Sequence, residues 1–328
     1  MRLVFLGSGA FGLPALQALA NDPSHTLLAV VSQPDKPAGR GMKITPTPIA
    51  QWAEAHLPAV PLLKPADINE PTVRDILRGL GADAWVVIAF GQKLSAPLLE
   101  GVFAINLHAS LLPRWRGAAP INAAILAGDG VTGNSVITLA ERMDAGLVLG
   151  TVERPIDPLV TAGELHDTLA DAGPQLVLEV LAKRLSGQLQ PVTQDEALVT
   201  KARKLAKADG ILDFAETATR LRCRVHGLTP WPGVTVAIHH GAADRALAPI
   251  QAKLLRVREA AEPHSAAPGV FVDVRRALIA CGGGTSLEVL ELQPAGGKPI
   301  KWGEFVNGAG RALGAGATVK RPQAPGEG

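Results

Sequence analysis

Cysteine is scarce in this chain: its 328 residues hold only Cys223 and Cys281. Two distant thiols without metal-ligand spacing exclude a disulfide framework, fit buried and reduced groups, and give no reason to expect a metal. Net charge is small too, at +2, so charge alone does not mark a nucleic-acid binder. No apolar run approaches the ~20 residues that span a bilayer. Arg2 stands near the start, but the apolar core and small-residue cleavage site of a signal peptide are missing. The expectation is a cytoplasmic protein with no membrane partner. Internal repeats are absent, and nothing points to an obligatory protein partner.

What the chain does have is apolar material. At 47% hydrophobic residues it can bury a sizeable core, which excludes global disorder. Its length suggests two domains. From Lys207 onward fifteen Lys and Arg face eleven Asp and Glu, so a mild basic bias is confined to the second half.

The first half alternates short apolar runs with helical patterns. Arg2–Leu6 leads into Gly7-Ser8-Gly9-Ala10-Phe11-Gly12, with Pro14 in the first turn of the helix that follows. Strand, glycine turn and helix are the setting of a dinucleotide site. The next run, Leu27–Val31, ends in Ser32 where a ribose-binding acid would stand, so the glycines read as a tight turn with close helix packing. Ala84–Phe90 is continuously apolar, as a parallel strand buried on both faces would be. Helical faces at Ile49, Trp52, Ala53 and His56, and at Val73, Ile76, Leu77 and Leu80, separate the strands. The expected fold class is α/β: a doubly wound, mostly parallel sheet whose ligands bind beyond the strand carboxyl ends.

The most informative stretch is Val102–Pro120, VFAINLHASLLPRWRGAAP. Alternation along its strand points Asn106 and His108 the same way. Two polar groups there are either a satisfied structural pair or a carbonyl-chemistry site, with an amide for an oxyanion and an imidazole for a proton.

Asn106, His108 and the run Ser110–Gly117, together with Met143-Asp144-Ala145-Gly146, resemble the signature of the formyltransferases that use 10-formyltetrahydrofolate. The resemblance implies a catalytic trio of Asn106, His108 and Asp144. It implies folate binding along Phe90, Gly91, Ser110, Leu111, Leu112 and Pro113, without a metal. Attack on the formyl carbon would pass through a tetrahedral intermediate stabilised by Asn106 and His108, with Asp144 orienting His108. One departure stands out: Val148-Leu149 occupies the place of the family's Asp-Thr pair.

Gln33–Pro48 holds four prolines and two glycines, and sets Lys36, Arg40 and Lys43 against the single acid Asp35. A surface loop is the plain reading, although a basic loop also reaches phosphates. Its Pro34–Gly41 run closely resembles the insertion loop of those family members that formylate the methionyl initiator tRNA, with Arg40 matching the loop arginine. The resemblance implies initiator methionyl-tRNA as acceptor, contacted by Lys36, Arg40, Lys43, Lys204 and Lys207.

Thr161 and Glu164 form a capping box before a helix reaching about Leu185, which Gly173-Pro174 should kink or break. A catalytic domain is expected over residues 1–186, a linker over 187–206, an OB-like tRNA-contacting domain over 207–316 and a mobile tail over 317–328. Pro230-Trp231-Pro232-Gly233 matches a family turn, with Trp231 read as a packing anchor. Val234–Ile238, Ala252–Val257, Gly269–Val274, Ala277–Ala280 and Leu287–Leu292 suggest a small β-barrel, closed by a helix from Lys301 to Leu313. Two alternatives remain: a formyltransferase acting on an amino sugar nucleotide, and a dinucleotide-dependent oxidoreductase resting on the glycine turn alone.

Overall fold

The computed structural model describes residues 1–38, 41–241 and 246–322. Contacts divide them into two units. The first comprises Met1–Gly117, Thr132–Arg154 and His166–Lys201; the second comprises Ala118–Val131, Pro155–Leu165 and the described residues from Ala202 on.

The chain opens with β1 (Arg2–Gly7), α1 (Leu13–Asn21) and β2 (Thr26–Val31). Next come β3 (Lys36–Ala38) and β4 (Lys43–Thr45), an antiparallel pair with Lys36 opposite Thr45. They are followed by α2 (Pro48–His56), β5 (Leu62–Leu63), α3 (Pro71–Gly79) and β6 (Ala84–Ile88). α4 (Ala96–Leu99), β7 (Ala104–His108), β8 (Arg116–Gly117) and α5 (Pro120–Ala127) come after these. β9 (Val131–Thr138), β10 (Val148–Pro155) and α6 (Ala162–Leu185) complete the run.

Seven strands form one sheet in the order β10-β9-β7-β6-β1-β2-β5. The pairs from β7 to β5 are parallel, and β9 lies antiparallel to β7. Every residue of β6 is buried, as its unbroken apolar run requires when helices cover both faces. Val4, Leu6, Val31, Leu77 and Trp85 pack in one core cluster with it.

Of the kink or break expected at Gly173-Pro174, α6 shows no break: it runs through Pro174 as one helix. The proline removes one helix hydrogen bond. Leu169 and Ala170 before it, and Val177, Val180 and Leu181 after it, are all buried on an i, i+3, i+4 stripe. Burial on both sides carries the helix across.

After β11 (Lys201–Ala202), the second unit holds α7 (Ala218–Gly227), against which α5 packs, with the Asn122 amide donating to the Gly227 carbonyl at 2.8 Å. The strands are β12 (Val234–His239), β13 (Ile250–Ala260), β14 (Phe271–Asp273), β15 (Leu278–Ala280), β16 (Ser286–Pro294) and β17 (Ile300–Lys301). α8 (Trp302–Asn307) and β18 (Thr318–Lys320) end the described fold. Their order is β14-β15-β16-β13-β12-β18, with β17 on β16. A bridge from Val270 to Thr318 brings the two ends together into a nearly closed antiparallel barrel.

Two expectations are corrected here. Closure comes from a strand rather than a helix through Leu313, because α8 stops at Asn307. The supposed tail is ordered structure at 318–320: β18 pairs with β12, and Val319, only 3% exposed, turns inward opposite Ile238. Alternation of Ala317 and Val319 into the core outweighs the Gly- and Pro-rich flanks. The rest of that tail, 323–328, lies outside the described residues. Residues 187–206 also carry more structure than a linker implies, including the buried Gln194 and a short helical turn at Glu196–Leu198.

Cys223 and Cys281 are free and buried, and burial pushes the Cys281 thiol up to about 12. His226, in the second unit, is wholly buried. Its Nδ1–H donates to the Pro158 carbonyl and its Nε2 accepts from the Val257 N–H, each at 3.1 Å. Both nitrogens are used by the neutral ring, and burial pushes its pKa down to about 4. An unfolded chain would bind the proton near pH ~6.5, so this stabilisation is complete above that pH and is lost as pH falls toward 4. Urea unfolding should therefore show about 2 kcal/mol less stability from this group at pH 5 than at pH 7.5. His226→Gln should flatten that slope; a slope unchanged in the variant would assign it to other groups.

Candidate active site

β7 supplies Asn106 and His108 at its carboxyl end, where Asn106 lies opposite Val87 of β6 and Ile137 of β9, and His108 opposite Ser135. Asn106 is half-buried, and among the described residues nothing hydrogen-bonds its side-chain amide. His108 is 7% exposed, and its Nε2 donates to the Trp115 carbonyl at 3.0 Å. A carbonyl only accepts, so Nε2 holds the proton and Nδ1 of the neutral ring does not. Nδ1 faces Asp144 Oδ2 at 3.8 Å, an ion-pair separation longer than a hydrogen bond.

Asp144 reaches this position from a turn between β9 and β10. The register carries β9 away from His108: Ser135 is opposite His108, but Thr138 is opposite Ile105. The loop after Thr138 must come back, and three hydrogen bonds hold it there. Gly117 N–H donates to Asp144 Oδ2 at 2.8 Å, while the two amide hydrogens of Gln194 reach the carbonyls of Asp144 and Gly146, both at 2.8 Å. Asp144 takes a left-handed φ of 55°. Gly146 is required, because a Cβ there would lie 1.7 Å from the Thr138 carbonyl oxygen.

Gln194 is itself oriented. Its Oε1 accepts from Nε of the buried Arg116 at 2.9 Å, and Arg116 Nη2 reaches Glu196 Oε1 at 2.9 Å. Hydrogen bonds from Arg116, then Arg142, hold the Glu196 carboxyl below its usual range. Sequence reading missed this group. The only trace was a polar Gln194-Asp195-Glu196 run without periodicity, in a stretch read as linker.

The other expected site residues divide. Ser110 is wholly buried, its hydroxyl bonded to the Arg114 carbonyl at 2.6 Å and its carbonyl to Ser135 Oγ at 2.7 Å. Leu112 N–H donates to the same Ser135 Oγ at 3.1 Å, so Leu111 and Pro113 are the more accessible parts of that loop. The Phe90 ring is buried, and its carbonyl accepts from Ser8 Oγ and Gln33 Nε2, both at 3.0 Å. What the Phe90-Gly91 edge presents is therefore backbone. Val148 continues β10 through reciprocal backbone bonds with Val192 at 2.8 Å, and Leu149 is buried. Ser32 is buried against Thr47 Oγ1 at 2.5 Å, which leaves the glycine turn without the acid a dinucleotide ribose needs.

Of the cations, Lys36 donates to Gln33 Oε1 at 2.6 Å and Lys43 is exposed. Arg40 lies outside the described residues. Lys204 and Lys207 are exposed in the second unit. No group of three or more potential metal ligands occurs among the described residues, and no helix there is long and apolar enough to cross a membrane.

Comparison with known proteins identifies the family to which the chain belongs. Residues 1–181 match the family described as formyl transferase, and residues 204–310 its C-terminal domain. The methionyl-tRNA formyltransferase of Symbiobacterium thermophilum is 39% identical over 330 residues, covering 99% of this chain and 97% of that protein. The protein of the same name from Rhodopseudomonas palustris is 40% identical over 316 residues, covering 94% and 96%. Among solved structures, the sugar 3N-formyl transferase WlaRD, with dTDP and 5-N-formyl-THF, shares the fold at a TM-score of 0.62 and 14% identity, covering 88% of this chain and 97% of that one. HypX from Aquifex aeolicus, in complex with tetrahydrofolic acid, does so at a TM-score of 0.57 and 15% identity, covering 94% and 48%.

Replacing Gln194 with leucine leaves Arg116 Nε without its acceptor and two turn carbonyls without their donor. Urea unfolding should show a loss of about 1–3 kcal/mol; an unchanged midpoint would mean that the clamp carries no weight.

Proposed function

The chain belongs to the formyl transferase family, and from that premise we propose that it moves the formyl group of 10-formyltetrahydrofolate to the α-amine of initiator methionyl-tRNA. The observation that carries the chemistry is the meeting of His108 Nδ1 and Asp144 Oδ2 at 3.8 Å on the strand that also presents the free amide of Asn106. The acceptor is carried by the names of the full-length relatives and by the Pro34–Gly41 run. A folate donor suits a site with an uncommitted amide donor, a backbone edge at Phe90-Gly91 and accessible apolar groups at Leu111 and Pro113.

When bound, the donor supplies a formyl carbon: a new C–N bond forms to the amine, the bond to N10 breaks, and the amine's proton leaves as N10 gains one. The α-amine has an ordinary pKa of about 7.7–8.0, so part of it is neutral and nucleophilic near pH 7. The Asn106 amide stabilises negative charge on the formyl oxygen, a donor role typically worth ~10²–10³ in rate. Of the two parts open to His108, oxyanion donor and proton carrier, this geometry supports the second. Its Nε2–H is committed to Trp115, so it is not a second oxyanion donor in this geometry. Its unprotonated Nδ1 accepts the amine proton, and the Asp144 carboxylate then faces the imidazolium.

Asn106→Ala, His108→Ala and Asp144→Ala should each lower turnover by ~10² or more with the fold intact. Transfer of labelled formyl groups measures this, with circular dichroism as the fold control; near-wild-type turnover for Asp144→Ala would remove it from the mechanism. Offered initiator methionyl-tRNA, elongator methionyl-tRNA and an amino sugar nucleotide, the enzyme should formylate the first by preference. Preference for the sugar would overturn the acceptor assignment. Arg40→Gln should raise the KM for tRNA and leave that for folate unchanged; equal KM values for both substrates in variant and wild type would separate the loop from tRNA.

A further inference from the structure

A cleft of about 390 Å³ opens on the second unit, lined by Lys207, Ile211, Trp231, Thr235, Lys253 and Pro322 together with the glycines of its turns, and by no carboxylate. Trp231, expected to anchor packing, is instead 50% exposed. Lys207 and Lys253 are exposed, and neither makes an ion pair among the described residues.

Local structure builds this cleft. Pro230 and Pro232 flank the indole, and Gly233, at a φ of 79°, returns the chain with its N–H bonded to the Leu228 carbonyl at 2.8 Å. The turn holding Lys207 (Lys207–Gly210) packs directly on it. A Cβ at Gly210 would lie 2.2 Å from the Gly233 carbonyl oxygen, so only glycine allows the approach. Across the cleft, Lys253 stands opposite Thr235 in the β12–β13 register, and its stem passes Gly233. Asp209, the acid nearest Lys207 in sequence, is spent elsewhere: it accepts from Arg203 and from the Ala206 N–H, and these bonds hold its carboxyl below the usual range.

An exposed indole and two free ammonium groups lining one cleft, with no acid on its wall, match a planar base and its anionic phosphates. Aromatic stacking tolerates any base, and lysines meet the backbone. We propose that this cleft takes an unpaired nucleotide of the tRNA, its base on Trp231 and its flanking phosphates on Lys207 and Lys253. The proposal rests on the tRNA reading above and adds Trp231 and Lys253 to it.

The test measures anisotropy of labelled initiator tRNA and of a short labelled oligouridylate with the full chain, beside formylation kinetics. Trp231→Ala should weaken both affinities about tenfold and raise the KM for tRNA without changing kcat, while Trp231→Phe restores most of the loss. Lys253→Gln should reduce the slope of log affinity against log salt by about one. Wild-type affinity and KM in Trp231→Ala would overturn the cleft, even if methionyl-tRNA is formylated normally. A protein that formylates no tRNA yet binds oligouridylate through Trp231 would keep the cleft and lose the acceptor reading.

Discussion

The turn that carries the site's carboxylate is held by one side-chain amide and one backbone N–H, those of Gln194 and Gly117. Gln194 spans two backbone carbonyls of the Asp144 turn with its two hydrogens and is gripped in turn by the buried Arg116. A left-handed φ at a residue that is not glycine costs on the order of 1–3 kcal/mol. Three hydrogen bonds, from Gly117 N–H and the two amide hydrogens of Gln194, offset that cost and keep Asp144 beside His108. Each partner is expensive to bury alone, so the chain Arg116–Gln194–turn stands or falls as a unit.

The sheet explains why such a clamp is needed. An antiparallel β9 inserted beside β7 carries the chain away from His108, so no strand end delivers Asp144 to the imidazole. The carboxylate has to return on a loop, and loops hold a position only through specific contacts. His108 is fixed independently through the Trp115 carbonyl. That bond decides which nitrogen is free, and in the proposed mechanism it divides the labour: Asn106 toward the oxygen, His108 toward the proton.

Close approach of turns shapes the second unit in the same way. Gly210 lets one turn sit on another, and their junction exposes Trp231 rather than burying it. Barrel closure uses β18, in a stretch whose composition reads as tail. Composition reports what a segment prefers alone; pairing with β12 and the inward side chain of Val319 supply what it lacks.

The parallel strands were legible because a run such as Ala84–Ile88 is apolar on both faces, and Asn106 and His108 because period-two alternation puts them on one side. Asp144 was found by its resemblance to a family motif, not by spacing. Gln194, the tautomer of His108, the exposure of Trp231 and the role of residues 318–320 left no periodic signal. Each depends on a tertiary contact: the Trp115 carbonyl for His108, the Asp144 turn for Gln194, the Gly210 turn beside Gly233 for Trp231, and pairing with β12 for 318–320. Local pattern determines which residues are available for chemistry; tertiary contacts decide which of their atoms remain unpaired to perform it.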